Sequence, residues 1–535
     1  MVASLFRVLT TGIQDERLQY LREGAPPETW AQFTKVWMRT GRFTTRWHRI
    51  DFTSIPDFGR NIVCDIPLKG EFITRMFLVS VLPDIGTAQA TAAAAAMSAG
   101  GDGTIAPTFS WTNAVGHAIV QKAQFLIGGN IIDELDRNLL EVLDEFNTPL
   151  EKTTVMNRLI ARADTGFGAS TFSAPGTKTL YTPLPFWFTR GDSACALPVD
   201  AIRVDSLRVQ IKLAPLSELY YTDSKILPPG SVTPSTDNTP TEINTQTSNP
   251  VVQVSACGGG VRMWNIESSE LYYPCTTGEA IPGLAAAGPV CPTGGSMPSA
   301  LPLQDCYLLI EYVYVDKPEA NRFRLADIQI PITTHTALPT FDTQGLGLAN
   351  IPIRVGNPVR NMYWFAQRVE AALYNDWFSA SRDLFDVHGV YWWPNATGLY
   401  ADKQSALIPA WATRDTEPLR AVQLSYEGNL SRFGTQQPAL FRSILPSLEC
   451  KKSPWIHRYY YMYPFGVYNN YRGVSAPCGE TNMDKIERIQ LQLEFSPQRG
   501  YTTSSAIPRY NVYIWVEEYN VLRIYGGRAG LLFDN

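Results

Sequence analysis

Histidine is scarce in this chain, with five residues in 535, and charged residues make up only 18%. The net charge is −5 and lysine and arginine are scattered without a basic run, so no electrostatic footprint for nucleic acid exists. No segment reaches the ~20 consecutive apolar residues that a spanning helix needs. Met1 to Leu9 has neither a lengthy apolar region nor a small-residue cleavage site, so no secretory signal is expected. The eight cysteines include no C-x-x-C pair, which argues against a zinc site and against a dense disulfide framework. Free thiols of a reducing compartment are expected; a local bridge among Cys257, Cys275 and Cys291 is the alternative. Catalytic signatures are missing too. There is no G-x-S-x-G elbow, phosphate-binding loop or H-E-x-x-H, and Gly345-Leu-Gly347 fails as a dinucleotide fingerprint because Asn350 replaces the third glycine.

What the chain does have is length, aromatic residues (12%) and 38 prolines. Five hundred residues exceed one ordinary core and suit two or three domains. Aromatic and proline content together lean towards β-structure with many turns. Leu207 to Leu213 alternates strictly between apolar and polar residues, the mark of a half-buried strand. Phe186-Trp187-Phe188 ahead of it also has strand-favouring types. Further strand patterns start at Trp47 and recur over 61–66, 71–81, 118–127 and 306–315. The second half has them at 328–332, 351–355, 362–369, 421–426, 489–495 and 511–524. Asp136 to Phe146 reads as the clearest helix, with Leu139, Leu140, Leu143 and Phe146 on one face. Asp316 to Asp327 reads as a short helical connector. Residues 224–250 and 276–302 are rich in Pro, Ser, Thr, Gly and Ala, with room for a small hairpin at 260–273 between them. So long an excursion belongs on a surface.

Elements repeat in order. Tyr181 to Phe186, with Pro185-Phe186, answers Tyr460 to Phe465, with Pro464-Phe465. Gly129-Asn130 answers Gly428-Asn429, and Leu207 to Leu213 answers Ile489 to Phe495. This order suggests two related domains in tandem. The expected fold is all-β: two antiparallel β-sandwiches in tandem, with short helices in loops. The expected division is an arm at 1–45, a first sandwich at 46–316 with the insertion 224–302, a connector at 317–327, and a second sandwich at 328–535. If Leu207 to Leu213 is the seventh strand and Cys306 to Val315 the eighth, the insertion joins them. It then leaves from the same end as the 87–107 loop.

Chemistry-bearing residues are few. Asp383, Asp386 and His388 have metal-ligand types, but a solvated loop explains them better. Arg60, Arg75 and Arg190 read as residues on wet strand faces, with pairing to acids at subunit contacts as the alternative. Two glycosylation sequons occur, at Asn395 and Asn429, and Asn395 ranks first because it follows Trp392-Trp393-Pro394 in a long loop. Tyr391-Trp392-Trp393 and Tyr459-Tyr460-Tyr461 have the makings of a sugar platform, though packing is the commoner use of such rings.

Several blocks in order carry a resemblance. They are Asp57-Phe58-Gly59-Arg60, Ile127 to Asp133, Leu184 to Phe188 with Ala196-Leu197-Pro198, and Tyr519 to Ile524 through Gly530-Leu531. Gly12 to Asp15 adds to them. The chain thereby resembles the major capsid proteins of nucleocytoplasmic large DNA viruses, such as chlorella viruses and iridoviruses. That resemblance implies two tandem eight-stranded antiparallel jelly rolls (a double jelly roll, the first at 46–316 and the second at 328–535) and a homotrimeric, pseudo-hexagonal capsomer in an icosahedral shell. It implies contacts with neighbouring capsomers, minor capsid or cement proteins and a penton protein, but no direct nucleic acid. It also implies a virion assembled in the host cytoplasm, with an internal viral membrane beneath the shell. No cofactor and no catalysis are expected. A minor capsid protein of the same fold and a carbohydrate-binding β-sandwich are the alternatives, with an enzyme third.

Overall fold

The computed structural model describes residues 43–85, 108–162, 177–191, 195–223, 260–264, 271–272, 301–369, 375, 377–380, 417–427, 430–454, 458–466, 479–496 and 507–533. The first half contains β1 (Phe43–Asp51), β2 (Asn61–Asp65), β3 (Phe72–Leu82), β4 (Thr108–Trp111), β5 (Val120–Ile127), β6 (Asn130–Asp136), β7 (Lys178–Pro183), β8 (Leu197–Pro198), β9 (Leu207–Leu213), β10 (Tyr220–Asp223), β11 (Gly260–Trp264), β12 (Leu271–Tyr272) and β13 (Asp305–Val315). The second half contains β14 (Ile328–Ala337), β15 (Phe341–Asp342), β16 (Leu348–Ile353), β17 (Pro358–Arg368), β18 (Leu419–Tyr426), β19 (Leu430–Gln436), β20 (Tyr461–Pro464), β21 (Thr481–Asn482), β22 (Ile489–Phe495), β23 (Tyr510–Tyr525) and β24 (Arg528–Leu531). The helices are α1 (Val115–Ala118), α2 (Arg137–Asn147), α3 (Leu150–Ile160), α4 (Lys317–Leu325) and α5 (Leu445–Glu449).

The two halves have one topology. In the first, β1-β13-β3-β7 forms one sheet and β2-β9-β5-β6 the other. In the second, β14-β23-β17-β20 and β16-β22-β18-β19 repeat that order. Each set is an eight-stranded antiparallel jelly roll. The match extends to irregularities. The β13–β3 ladder slips register beside Glu311, and the β23–β17 ladder slips beside Glu517. The two-residue strands β8 and β21 pair with β3 and β17 at matching places, each followed by a single helical turn.

Alternation builds the cores. In β9, Leu207, Val209, Ile211 and Leu213 are buried while Arg208 and Lys212 are exposed; β22 alternates the same way. Burying each large apolar side chain contributes roughly 1.5–3 kcal/mol. Aromatic rings fill the middle: Phe125, Phe186, Trp187 and Phe188 pack together in the first jelly roll, and Trp364, Phe441 and Tyr461 in the second. Gly128 and Gly129 form the two-residue turn from β5 to β6, both at positive φ, the backbone that a tight hairpin of this hand requires.

Three sequence expectations change. Phe186-Trp187-Phe188 is not a strand. Trp187–Thr189 is a helical turn, closed by Thr189 Oγ1 donating to the Leu184 and Phe186 carbonyls. The first strand starts at Phe43, not Trp47, because β1 pairs in register with β13 out to Val315 even where both of its faces are exposed. Finally, β6 and β19 are strands that no alternation announces. The 260–273 hairpin is present as β11 and β12, and β11 lies parallel to β10. β10, which leads into the insertion, pairs with β4, which follows residue 107, with Tyr220 opposite Trp111. Helix α4 occupies the connector.

Candidate functional site

The most developed side-chain arrangement lies between the two jelly rolls, where an ionic seam is buried. Helix α2 follows β6 and is capped by Asp136, whose carboxylate accepts from the Leu139 N–H at 2.7 Å. Its apolar face, Leu139, Leu140, Leu143 and Phe146, enters the core as expected. Its acidic face is buried as well, because the second jelly roll covers it. Glu141 receives Arg162 at 2.5 Å, His117 at 2.7 Å and Arg458 of the second jelly roll at 2.9 Å. Arg162 also holds Asp144, and Lys452 of the second jelly roll holds Glu145 at 2.9 Å. Three carboxylates thus face three fixed cations. Burial alone would push the Glu141 carboxyl up. The Arg162 and Arg458 guanidiniums and His117 outweigh that and hold it well below the ordinary glutamate range. The same pairing raises Arg162 and Arg458 against their own desolvation.

A second cluster sits on the β14–β23 edge. Arg190 reaches across to Glu517 at 2.9 Å, Thr333 Oγ1 at 2.6 Å and the His335 Nδ1 acceptor at 2.9 Å. The His335 N–H donates to Asp133 of β6, and Asn361 donates to the other Glu517 oxygen at 2.6 Å. Desolvation raises the Glu517 carboxyl, but Arg360, Arg190 and His335 bring it down to about 2. Trp515 Nε1 donates to Asp136, and Phe146 packs on Tyr363 with ring centroids 5.6 Å apart. Both ends of the seam are latched. At one, Asn375 donates to the Ser217 and Tyr220 carbonyls. At the other, the Arg203 and Val204 N–H groups donate to the Gly527 carbonyl. Gly527 has φ +81°, and a Cβ there would meet Val204 at 3.0 Å.

Residues singled out from sequence are distributed unevenly around this seam. Arg75 lies on a wet strand face, 3.7 Å from Glu311, and Arg60 is exposed. Arg190 is the correction: it is a bridge between jelly rolls, because the helical turn at Trp187 aims it at β14. Tyr459, Tyr460 and Tyr461 are core residues, which removes them as a sugar platform. Asn395, Asn429, Asp383, Asp386, His388, Tyr391, Trp392 and Trp393 lie outside the described residues, as do Cys257, Cys275 and Cys291. Among the described residues Cys64 and Cys306 are free thiols, and no group of three or more His, Cys, Asp or Glu side chains could hold a metal ion. Sequence reading missed Glu141, Asp144, Glu145, Lys452 and Arg458.

Two stacked-sheet jelly rolls of one topology, fused through a buried seam, define a double jelly-roll protein. Residues 31–255 match the family described as major capsid protein N-terminus, and residues 327–530 match large eukaryotic DNA virus major capsid protein. The chain belongs to this family of major capsid proteins, which puts it in the capsid of the virion. A major capsid protein of Phaeocystis pouchetii virus is 22% identical, with all of both chains covered. Probable capsid protein 4 of Acanthamoeba polyphaga mimivirus is 24% identical over 41% of this chain and 39% of its own length. The chain thus spans about two fifths of the mimivirus relatives it matches. Among solved structures, PBCV-1 VP54 aligns with a TM-score of 0.61 at 15% identity, over 94% of this chain and 100% of that one. The Faustovirus major capsid protein aligns with 0.60 at 13% identity, over 96% and 94%. Both likenesses are of fold.

Proposed function

We propose that this chain is the repeating unit of an icosahedral shell and works as a homotrimer with a pseudo-hexagonal outline. The observation that carries this reading is the exact repeat of one jelly-roll topology within one chain. Two similar blocks per chain give six per trimer, so a threefold molecule fills a sixfold lattice position. A rigid seam suits that task, since the two blocks must hold a fixed angle for neighbours to tile. The charged side chains concentrated between the blocks are engaged with one another, in keeping with a building element that carries out no catalytic step.

In this reading 1–45 is an arm, 46–316 and 328–535 are the two jelly rolls, and 317–327 is the connector. The 224–302 insertion caps the outer surface beside the 87–107 loop, supported by the β4–β10 pairing. Neighbouring capsomers, minor capsid or cement proteins and a penton protein are its partners, and assembly takes place in the host cytoplasm above an internal membrane. Sedimentation of the purified chain tests the trimer. A species of three times the 59.6 kDa chain mass is expected at micromolar concentration, and a monomer contradicts it.

A further inference from the structure

At the end of the molecule opposite the insertion, short connections from both jelly rolls come together. β13 runs from the insertion to α4, β9 runs from the 203–205 turn towards β10, and β23 ends in the hairpin to β24. Described contacts hold these pieces and the 67–70 turn side by side. The Arg203 and Val204 N–H groups donate to the Gly527 carbonyl. Arg203 and Arg324 share Asp200, which ties the turn to α4. Phe323 of α4 packs edge-on against Phe72 with ring centroids 4.9 Å apart, and the Tyr312 hydroxyl donates to the Pro67 carbonyl.

Three apolar side chains protrude at this end: Leu325 is 89% exposed, Tyr525 68% and Val204 60%. Cations surround them. Arg46, Lys69, Lys317, Arg322 and Arg528 are exposed, and among the described residues no carboxylate pairs with any of them. The acids nearby are already engaged. Asp200 is held by Arg203 and Arg324, Asp327 by Arg523 at 2.9 Å, Asp205 by the Ala529 N–H at 2.9 Å, and Glu71 by the Val315 N–H at 3.1 Å, which leaves Asp316 among the described acids. A chain of net charge −5 thus has one cationic end. Its cations come from separate segments, so no basic run in the sequence announces them.

We propose that this end binds the surface of an anionic lipid bilayer. Leu325, Tyr525 and Val204 stand singly, one at a helix end and two beside turns, with charge between them. A protein partner buries a contiguous, shape-matched apolar core. A bilayer interface instead accepts separated apolar tips at headgroup depth, with Lys and Arg on the lipid phosphates. Each cation near an anionic leaflet adds to the attraction. The inference rests on the shell reading above, in which an internal membrane lies beneath the capsid, and it names the residues that meet that membrane.

The test is flotation of the full-length chain with vesicles of phosphatidylcholine, with and without phosphatidylserine. The wild type is expected to float with the anionic vesicles, less so as salt is raised, and to stay behind with phosphatidylcholine alone. Lys317→Gln, Arg322→Gln and Arg528→Gln are each expected to weaken binding about fivefold. Leu325→Ser combined with Tyr525→Ser is expected to weaken it about tenfold. Lys212→Gln removes the same charge from the far end of β9 and is expected to leave binding unchanged. Far-UV circular dichroism checks each fold, and where one variant fails to fold the others carry the test. A wild type that does not float with anionic vesicles overturns the proposal. So does an equal loss in Lys212→Gln, which would show attraction by overall charge without a site. A monomer that floats contradicts the trimeric reading and leaves this site standing, whereas a trimer that does not float overturns the site alone.

Discussion

Arg190 and Glu517 sit 2.9 Å apart although 327 residues separate them in the chain. Their ion pair ties the helical turn after the sixth strand of one jelly roll to the eighth strand of the next. Leaving one buried ion without its partner costs roughly 3–5 kcal/mol. Arg190→Ala and Glu517→Ala are therefore each expected to lower unfolding stability by about that amount, measured by denaturant titration. The double variant is expected to lose less than the sum of the two, because each single change already removes the shared pair. Strict additivity would show that the pair does not join the halves.

Acid is expected to loosen the same seam. The folded Glu517 carboxyl lies at about 2, below its ordinary 4.5, and Glu141 is depressed too. A group depressed in the folded state stabilises it at pH above the unfolded value and loses that contribution as pH falls through the folded one. The contribution of Glu517 is of order 3 kcal/mol, complete above about pH 5 and lost by about pH 2. Thermal melting from pH 7 to pH 2 should show a fall that is shallower in Glu517→Gln, which starts lower. A melting point flat across that range in the wild type contradicts the assignment.

The insertion at 224–302 is expected to be cut by protease in assembled particles while the shell stays intact. Protection there in particles, combined with cleavage in free trimers, places it on the inner side or at a contact.

Of the two sequons, Asn395 is expected to carry glycan ahead of Asn429. In the sequence, Gly428-Asn429 answers Gly129-Asn130, which carries no sequon, whereas Asn395 follows Trp392-Trp393-Pro394. Glycopeptide and intact-mass measurement on virion-derived protein checks this, and an unmodified mass disposes of both sites.

The repeated jelly roll was legible because its central strands each have one wet and one dry face. Leu207 to Leu213 and Ile489 to Phe495 alternate for that reason. The strands that escaped notice lack such a contrast. β6 has Asp133 fully buried against the second jelly roll, and β19 is an edge with little burial on either face. The seam was illegible for a related reason. On a helix, Glu141, Asp144 and Glu145 opposite a leucine face read as solvated. What buries them is Arg458 and Lys452, more than 300 positions away. Arg190 was misplaced because Phe186-Trp187-Phe188 has strand composition, whereas Thr189 closes a helical turn that swings the arginine out of the sheet.

Electron microscopy of the purified, negatively stained protein tests the central claim most directly. Two equivalent jelly rolls per chain in a closed trimer predict particles with six lobes and a hexagonal outline. Elongated two-lobed particles, one per chain, would contradict it.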